Sequence, residues 1–211
     1  MKTDALIRLM AADTRTGPTL GRALVVALAA GLSAAVTLFF IELGFRPGLP
    51  DALATPRVLV KLAVVVLLSA ASLMLVARAG RPEADLARPA RALLVPAAII
   101  VAAVGGEFLV VPESDWRTSL IGHNAAACLA MVMLMGAVPL VALLFALKRG
   151  APQSPARAGA IAGLTAGALA ATLYALHCPD DSPFFVATWY TLAIGGLTLI
   201  GAVAGARMLR W

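Results

Sequence analysis

The chain has 211 residues, 61% of them hydrophobic and only 13% charged, with a net charge of +6. Globular chains run at about 45–50% apolar and about 25% charged, so a water-covered core is excluded, and the mean hydropathy of +0.93 puts the chain in a membrane. Two cysteines and two histidines are too few for a zinc framework, a disulfide scaffold or a haem motif.

The chain opens on Met1-Lys-Thr-Asp-Ala-Leu-Ile-Arg-Leu-Met10. Thr3 or Asp4 suits a helix cap, and Leu6, Ile7, Leu9 and Met10 follow it with Arg8 among them. Residues 1–21 are too few to bury those side chains alone. They fit an amphipathic turn on the lipid surface or a docking peptide that orders on a cytoplasmic partner.

Six apolar segments then reach the ~20 residues that a membrane helix needs: Arg22–Leu43, Val58–Ala77, Arg91–Val111, Ser119–Leu147, Ala156–Leu176 and Phe184–Leu209. The first begins too far from Met1, and is too long, to be a cleavable signal. Proline and glycine punctuate the short connections, as in Arg46-Pro-Gly-Leu-Pro-Asp51 and Gly80-Arg-Pro-Glu83. The expected fold is all-α: a polytopic bundle of six transmembrane helices over residues 22–211. Thirteen of the 17 Lys and Arg residues fall on the side of the termini and four, Arg46, Arg57, Lys61 and Arg117, on the other. By the positive-inside rule both termini are cytoplasmic. The high basicity is then a topology signal, not a nucleic-acid footprint.

Small residues recur every four positions at Gly159, Gly163 and Gly167, and again at Gly201 and Gly205. That spacing lets helix backbones approach closely, within one chain or, as the alternative, across a homodimer. Glu42 and Glu107 lie near outer span ends and are expected to snorkel to the interface.

Both histidines and both cysteines project to the outer half. His123 opens the fourth span, which as one 29-residue helix places Cys128 roughly 7–8 Å outward of its centre. His177 and Cys178 end the fifth. Asn124, Cys128, Met131 and Met135 share one helical face, whereas His123 and Cys128 do not. Thiolate and thioether donors suit soft metals such as copper, and imidazole broadens that range. Methionines at this spacing also fill gaps in bundles. For the thiols three readings stand: a disulfide or redox pair, a soft-metal site of Cys128, Cys178 and His177, and buried filling. There is no Gly-x-Ser-x-Gly, Cys-x-x-Cys, His-Glu-x-x-His or Walker motif, so no catalytic constellation and no required cofactor is expected.

The N-terminal tetrad with Leu6-Ile7, the six spans, Trp116, Cys128, Pro139, the string Tyr174-Ala-Leu-His-Cys-Pro-Asp-Asp-Ser-Pro-Phe184, Trp189-Tyr190 and Leu209-Arg-Trp211 resemble the NrsF-type membrane anti-sigma factors of the proteobacterial inner membrane. The resemblance spans the whole chain. It implies that residues 1–21 hold a sigma factor of the extracytoplasmic-function class inactive; within them Leu6, Ile7 and Leu9 are expected to supply the apolar anchors and Lys2, Asp4 and Arg8 to set orientation. It also implies that Cys128 and Cys178 sense envelope stress, heavy metal or redox change. A small metal or solute transporter would want broken helices and ionisable groups near the midplane. A membrane thiol oxidoreductase would want a paired-cysteine motif and a chromophore site.

Overall fold

Small polar residues and prolines set where the helices begin. Thr19 caps the first helix, its Oγ1 accepting from the Arg22 amide at 3.5 Å, and Ser154 and Ser182 do the same for Arg157 and Phe184 at 3.4 and 3.3 Å. Pro56, Pro155 and Pro183 each occupy a first turn, where the missing N–H costs nothing. The computed structural model describes residues 19–210. Its helices are α1 (Leu20–Glu42), a short α2 (Leu49–Ala52), α3 (Pro56–Ala79), α4 (Ala87–Val110), α5 (Glu113–Ile121), α6 (Ala125–Leu147), α7 (Pro155–Ala175) and α8 (Pro183–Met208). Six crossings are long and apolar enough for a membrane, with α5 and α6 together forming the fourth. The expected docking segment, including Lys2, Asp4, Leu6, Ile7, Arg8 and Leu9, falls on residues outside the described ones.

The expected single fourth helix is corrected: it breaks at Gly122, Cys128 moves outward, and His123 falls in the break. Gly122 has φ +58°, and a Cβ there would lie 2.6 Å from the Phe185 ring, so a glycine is what this turn accommodates. With α6 starting only at Ala125, Cys128 stands in its first turn, about 12 Å outward of the helix centre. Pro139 does not break α6, which runs on through it. The proline is instead where α1 crosses, since a Cβ on Gly31 would come within 2.7 Å of Pro139 Cα.

Helix α7 is central, touching α1, α3, α6 and α8, whereas α4 leans on α3 and the start of α8. Its Ala and Gly residues allow that position, for small side chains bring neighbouring backbones close. Hydroxyls join it to α3: Thr165 Oγ1 donates to the Ser72 carbonyl at 3.1 Å, and Thr172 Oγ1 lies 3.0 Å from Ser69 Oγ. The glycine repeat packs against α8 of the same chain. A Cβ on Gly159 would meet the Gly201 carbonyl oxygen at 2.1 Å, and one on Gly163 the Leu197 carbonyl oxygen at 2.1 Å. The homodimer alternative loses this surface to intrachain packing.

Two buried clusters divide the bundle lengthwise. One, with Leu24, Leu75, Leu147 and Leu209, sits at the end where the described chain begins and finishes. The other, with Phe39, Cys128, Tyr174, Cys178, Phe185 and Tyr190, sits at the far end.

Candidate functional site

The far end is organised by the loop from His177 to Ser182 between α7 and α8. Several of its polar groups are held by partners distant in the chain. The Cys178 carbonyl accepts from Lys61 Nζ at 2.8 Å and from Arg46 Nη1 at 3.1 Å. The Asp181 carboxylate pairs with Arg46 at 2.8 Å and with Lys61. The Leu176 carbonyl accepts from the Arg46 amide at 3.2 Å. Ser182 Oγ donates to Glu107 at 3.2 Å, and Glu107 in turn pairs with Arg57 at 3.1 Å.

Asp180 faces other partners than its neighbour. Its carboxylate accepts from the amides of His123 and Asn124, at 3.1 and 2.9 Å, and from Asn124 Nδ2 at 3.0 Å. It therefore caps α6 from a different part of the chain, satisfying donors that a helix start leaves open. Burial alone would raise the carboxyl's pKa, but the hydrogen bonds from His123 and Asn124 outweigh it and hold it below the ordinary carboxylate range. Because the folded value is the lower one, this support is fully present at neutral pH and is lost only as acid carries the pH down through it.

Lys61 is the costliest residue of the assembly. It stands in the second turn of α3 with its side chain fully buried, where an ammonium needs both a counter-ion and hydrogen bonds. Asp181 supplies the first and the Cys178 carbonyl a further acceptor. Sequence reasoning counts Lys61 only as a basic residue on the side away from the termini, and it passes over Arg46, Asn124, Asp180 and Asp181 as site residues. The available signal is a lone lysine at the fourth position of the expected span Val58–Ala77, since ionisable residues inside a span ask for a partner.

Cys178 and Cys128 are both free thiols with no exposed surface, and they share the outer cluster with Tyr174, Tyr190 and Phe185. Cys178 Sγ lies 3.9 Å from the Asp180 carbonyl oxygen. Burial pushes the Cys178 thiol up, against the opposing pull of Lys61, so it is protonated at neutral pH. A protonated, covered thiol is a poor nucleophile and a poor metal ligand. Met135 is buried beside Cys128, and Met131 packs on the same cluster half-buried. The buried Tyr190 hydroxyl has no well-oriented hydrogen-bond partner among the described residues.

The expected ligand set of Cys128, Cys178 and His177 is not assembled in this conformation. Its imidazole Nδ1 lies 3.0 Å from the Gly44 carbonyl oxygen, and the ring lines an outer cleft of about 450 Å³ with Arg46, Asn124 and Asp181. Among the described residues no three His, Cys, Asp or Glu side chains converge as a metal site. His123 is turned outward, its side chain 94% exposed. Glu42 is exposed, whereas Glu107 is only 6% exposed and does not snorkel. Arg57 and Ser182 reach it where it stands, which removes the reason to swing outward.

Residues 10–211 match the family model NrsF, described as negative regulator of sigma F. The chain is 36% identical over 219 residues to the anti-sigma-F factor NrsF of Caulobacter vibrioides (strain NA1000 / CB15N), with both chains covered in full. It is 33% identical over 214 residues to the probable anti-sigma-F factor NrsF of Azospira oryzae (strain ATCC BAA-33 / DSM 13638 / PS), again with full coverage of both. No solved structure matches the chain.

Proposed function

We propose a function for this chain from the family to which it belongs, the NrsF negative regulators of sigma F: it is a membrane anti-sigma factor that holds a sigma factor at the cytoplasmic face and releases it on an envelope signal. The observation that carries this is full-length similarity to relatives named anti-sigma-F factors, covering bundle and N-terminal segment alike. The partner we propose is of the extracytoplasmic-function class, held by residues 1–21, and the membrane is the bacterial inner membrane. Ten basic residues lie at the end of the bundle that carries the described termini, against four at the thiol end, which supports cytoplasmic termini and an outward-facing thiol cluster. A reporter active only in the cytoplasm, fused after Trp211, should then be active. A silent but fully expressed fusion would invert the orientation.

The signal on this reading is thiol-directed, a soft metal ion such as copper or an oxidant. Cys128 and Cys178 receive it, with His177 outside the set they form at rest. Binding outside releases a partner inside only if the two bundle states differ in affinity for both. A coupling of about 1–3 kcal/mol suffices for a 5–150-fold change in sigma-factor affinity. Replacing either cysteine by serine should abolish release while repression persists, and His177→Ala should leave most of the response intact. The measurement is sigma-factor co-purification before and after challenge with copper or oxidant. A Cys128→Ser/Cys178→Ser protein that still lets its partner go would remove the thiols from the mechanism.

A further inference from the structure

The loop that carries Cys178 is also the cover of the site. It leaves α7 at Ala175 and crosses to the start of α6, where Asp180 grips the amides of His123 and Asn124. Cys128 lies one helical turn beneath Asn124, its amide bonded to the Asn124 carbonyl at 2.7 Å. Neither thiol has exposed surface. A sensor closed in this way must open before any water-borne reagent can touch it.

A buried charge makes the closed loop depend on Asp181. Lys61 comes from α3, beneath the loop, and is bonded to its backbone at Cys178 as well as to its side chain at Asp181. The ammonium is hidden only while the loop lies on it. Arg46, from the connection after α1, grips the same two groups from the rim, where its side chain keeps 9% exposure. The two cations therefore differ. Arg46 has solvent within reach if Asp181 is lost, while Lys61 is left as an unpaired charge in an apolar surround unless the loop lifts and admits water.

We propose that Asp181 is a positioning residue that latches the Cys178 loop shut over both thiols by neutralising the buried Lys61, so that opening of this loop, and not the thiols' chemistry alone, sets when they can be reached. The inference rests on the thiol-sensing reading above for its consequence, but its test does not.

The test uses the purified full-length protein in lipid nanodiscs and the rate at which a charged, water-soluble maleimide labels its two cysteines. The wild type should label slowly. Asp181→Asn keeps the loop's shape and length, strands Lys61, and should speed labelling by at least ~10-fold, because removing one partner of a buried ion pair shifts such a balance strongly. Lys61→Met should stay slow, since Asp181 keeps Arg46 and no buried charge is left over. The Lys61→Met/Asp181→Asn double variant should return towards the wild-type rate. Removing the stranded charge would also relieve unfolding, so Asp181→Asn is checked by size exclusion, where a wild-type profile separates an opened loop from an unfolded bundle and the reversal in the double variant assigns the opening to unpaired Lys61. Labelling in Asp181→Asn as slow as wild type, fast labelling in the wild type or in Lys61→Met, or a double variant as fast as Asp181→Asn would each overturn the proposal. In cells, Asp181→Asn should lower the copper or oxidant dose that releases the sigma factor. If labelling follows the predicted pattern but release ignores the cysteines, the latch stands and the sensing reading falls; if labelling does not follow it, the latch falls whatever the cysteines do.

Discussion

Deletion of residues 2–12 is expected to leave the protein in the membrane and its sigma factor free. The bundle from Thr19 onward fills its two buried clusters with its own side chains, so insertion and packing do not depend on the deleted stretch. The proposed anchors are Leu6, Ile7 and Leu9, each expected to contribute roughly 1.5–3 kcal/mol if buried on a partner. Even if ordering the segment consumes half of the sum, the loss is of order 10²–10³-fold in affinity. Lys2, Asp4 and Arg8 should add association rate more than affinity, so their single substitutions should show chiefly in salt dependence. The checks are membrane fractionation, co-purification of the sigma factor and output from a promoter that it drives. A truncated protein that retains its partner would move the docking surface to the connections at the same end, around Arg78–Arg91 and Lys148–Arg157.

Where the spans lie was legible because hydropathy and proline punctuation act locally. Expected Ala156–Leu176 becomes Pro155–Ala175, and expected Phe184–Leu209 becomes Pro183–Met208, each start shifting back by one residue onto a proline. The break before α6 was passed over although Gly122-His123-Asn124 is a polar interruption near the start of the expected span, because a glycine there reads equally as a packing residue. Its φ of +58° and its contact with Phe185 are consequences of the assembled bundle. The same holds for the π turn at Val186–Tyr190, which changes the register of α8 as Tyr190 enters the thiol cluster. At the site, Cys128, Cys178 and His177 could be singled out by residue type alone. The network that fixes them depends on pairings across 117 to 135 residues, Lys61 with Cys178 and Arg46 with Asp181. No local pattern encodes such pairings, and for that reason His177 appears in the sequence as a ligand and in the structure as a partner of Gly44.

Gly163→Leu is expected to abolish the folded bundle, and the reason separates intrachain packing from self-association. A Cβ at Gly163 would lie 2.1 Å from the Leu197 carbonyl oxygen and 2.8 Å from Thr198 Cα. These are backbone atoms that no rotamer change can move aside. The same is true from the other side, where a Cβ on Gly201 would meet the Gly159 carbonyl oxygen at 2.3 Å. Overpacking against side chains costs about 1–3 kcal/mol, and here the helices themselves must part along the closest seam of the molecule, so the cost should exceed that range. Gly195 supplies the control in the same helix. A Cβ there meets nothing within 4 Å, so Gly195→Ala should gain up to about 1 kcal/mol of helix propensity. Thermal unfolding in detergent, followed by size-exclusion chromatography, reads both. Were the glycines a dimer face, Gly163→Leu would yield a stable, folded monomer; with the seam inside one chain, it should instead yield aggregate or degraded protein while Gly195→Ala melts at or above the wild-type temperature.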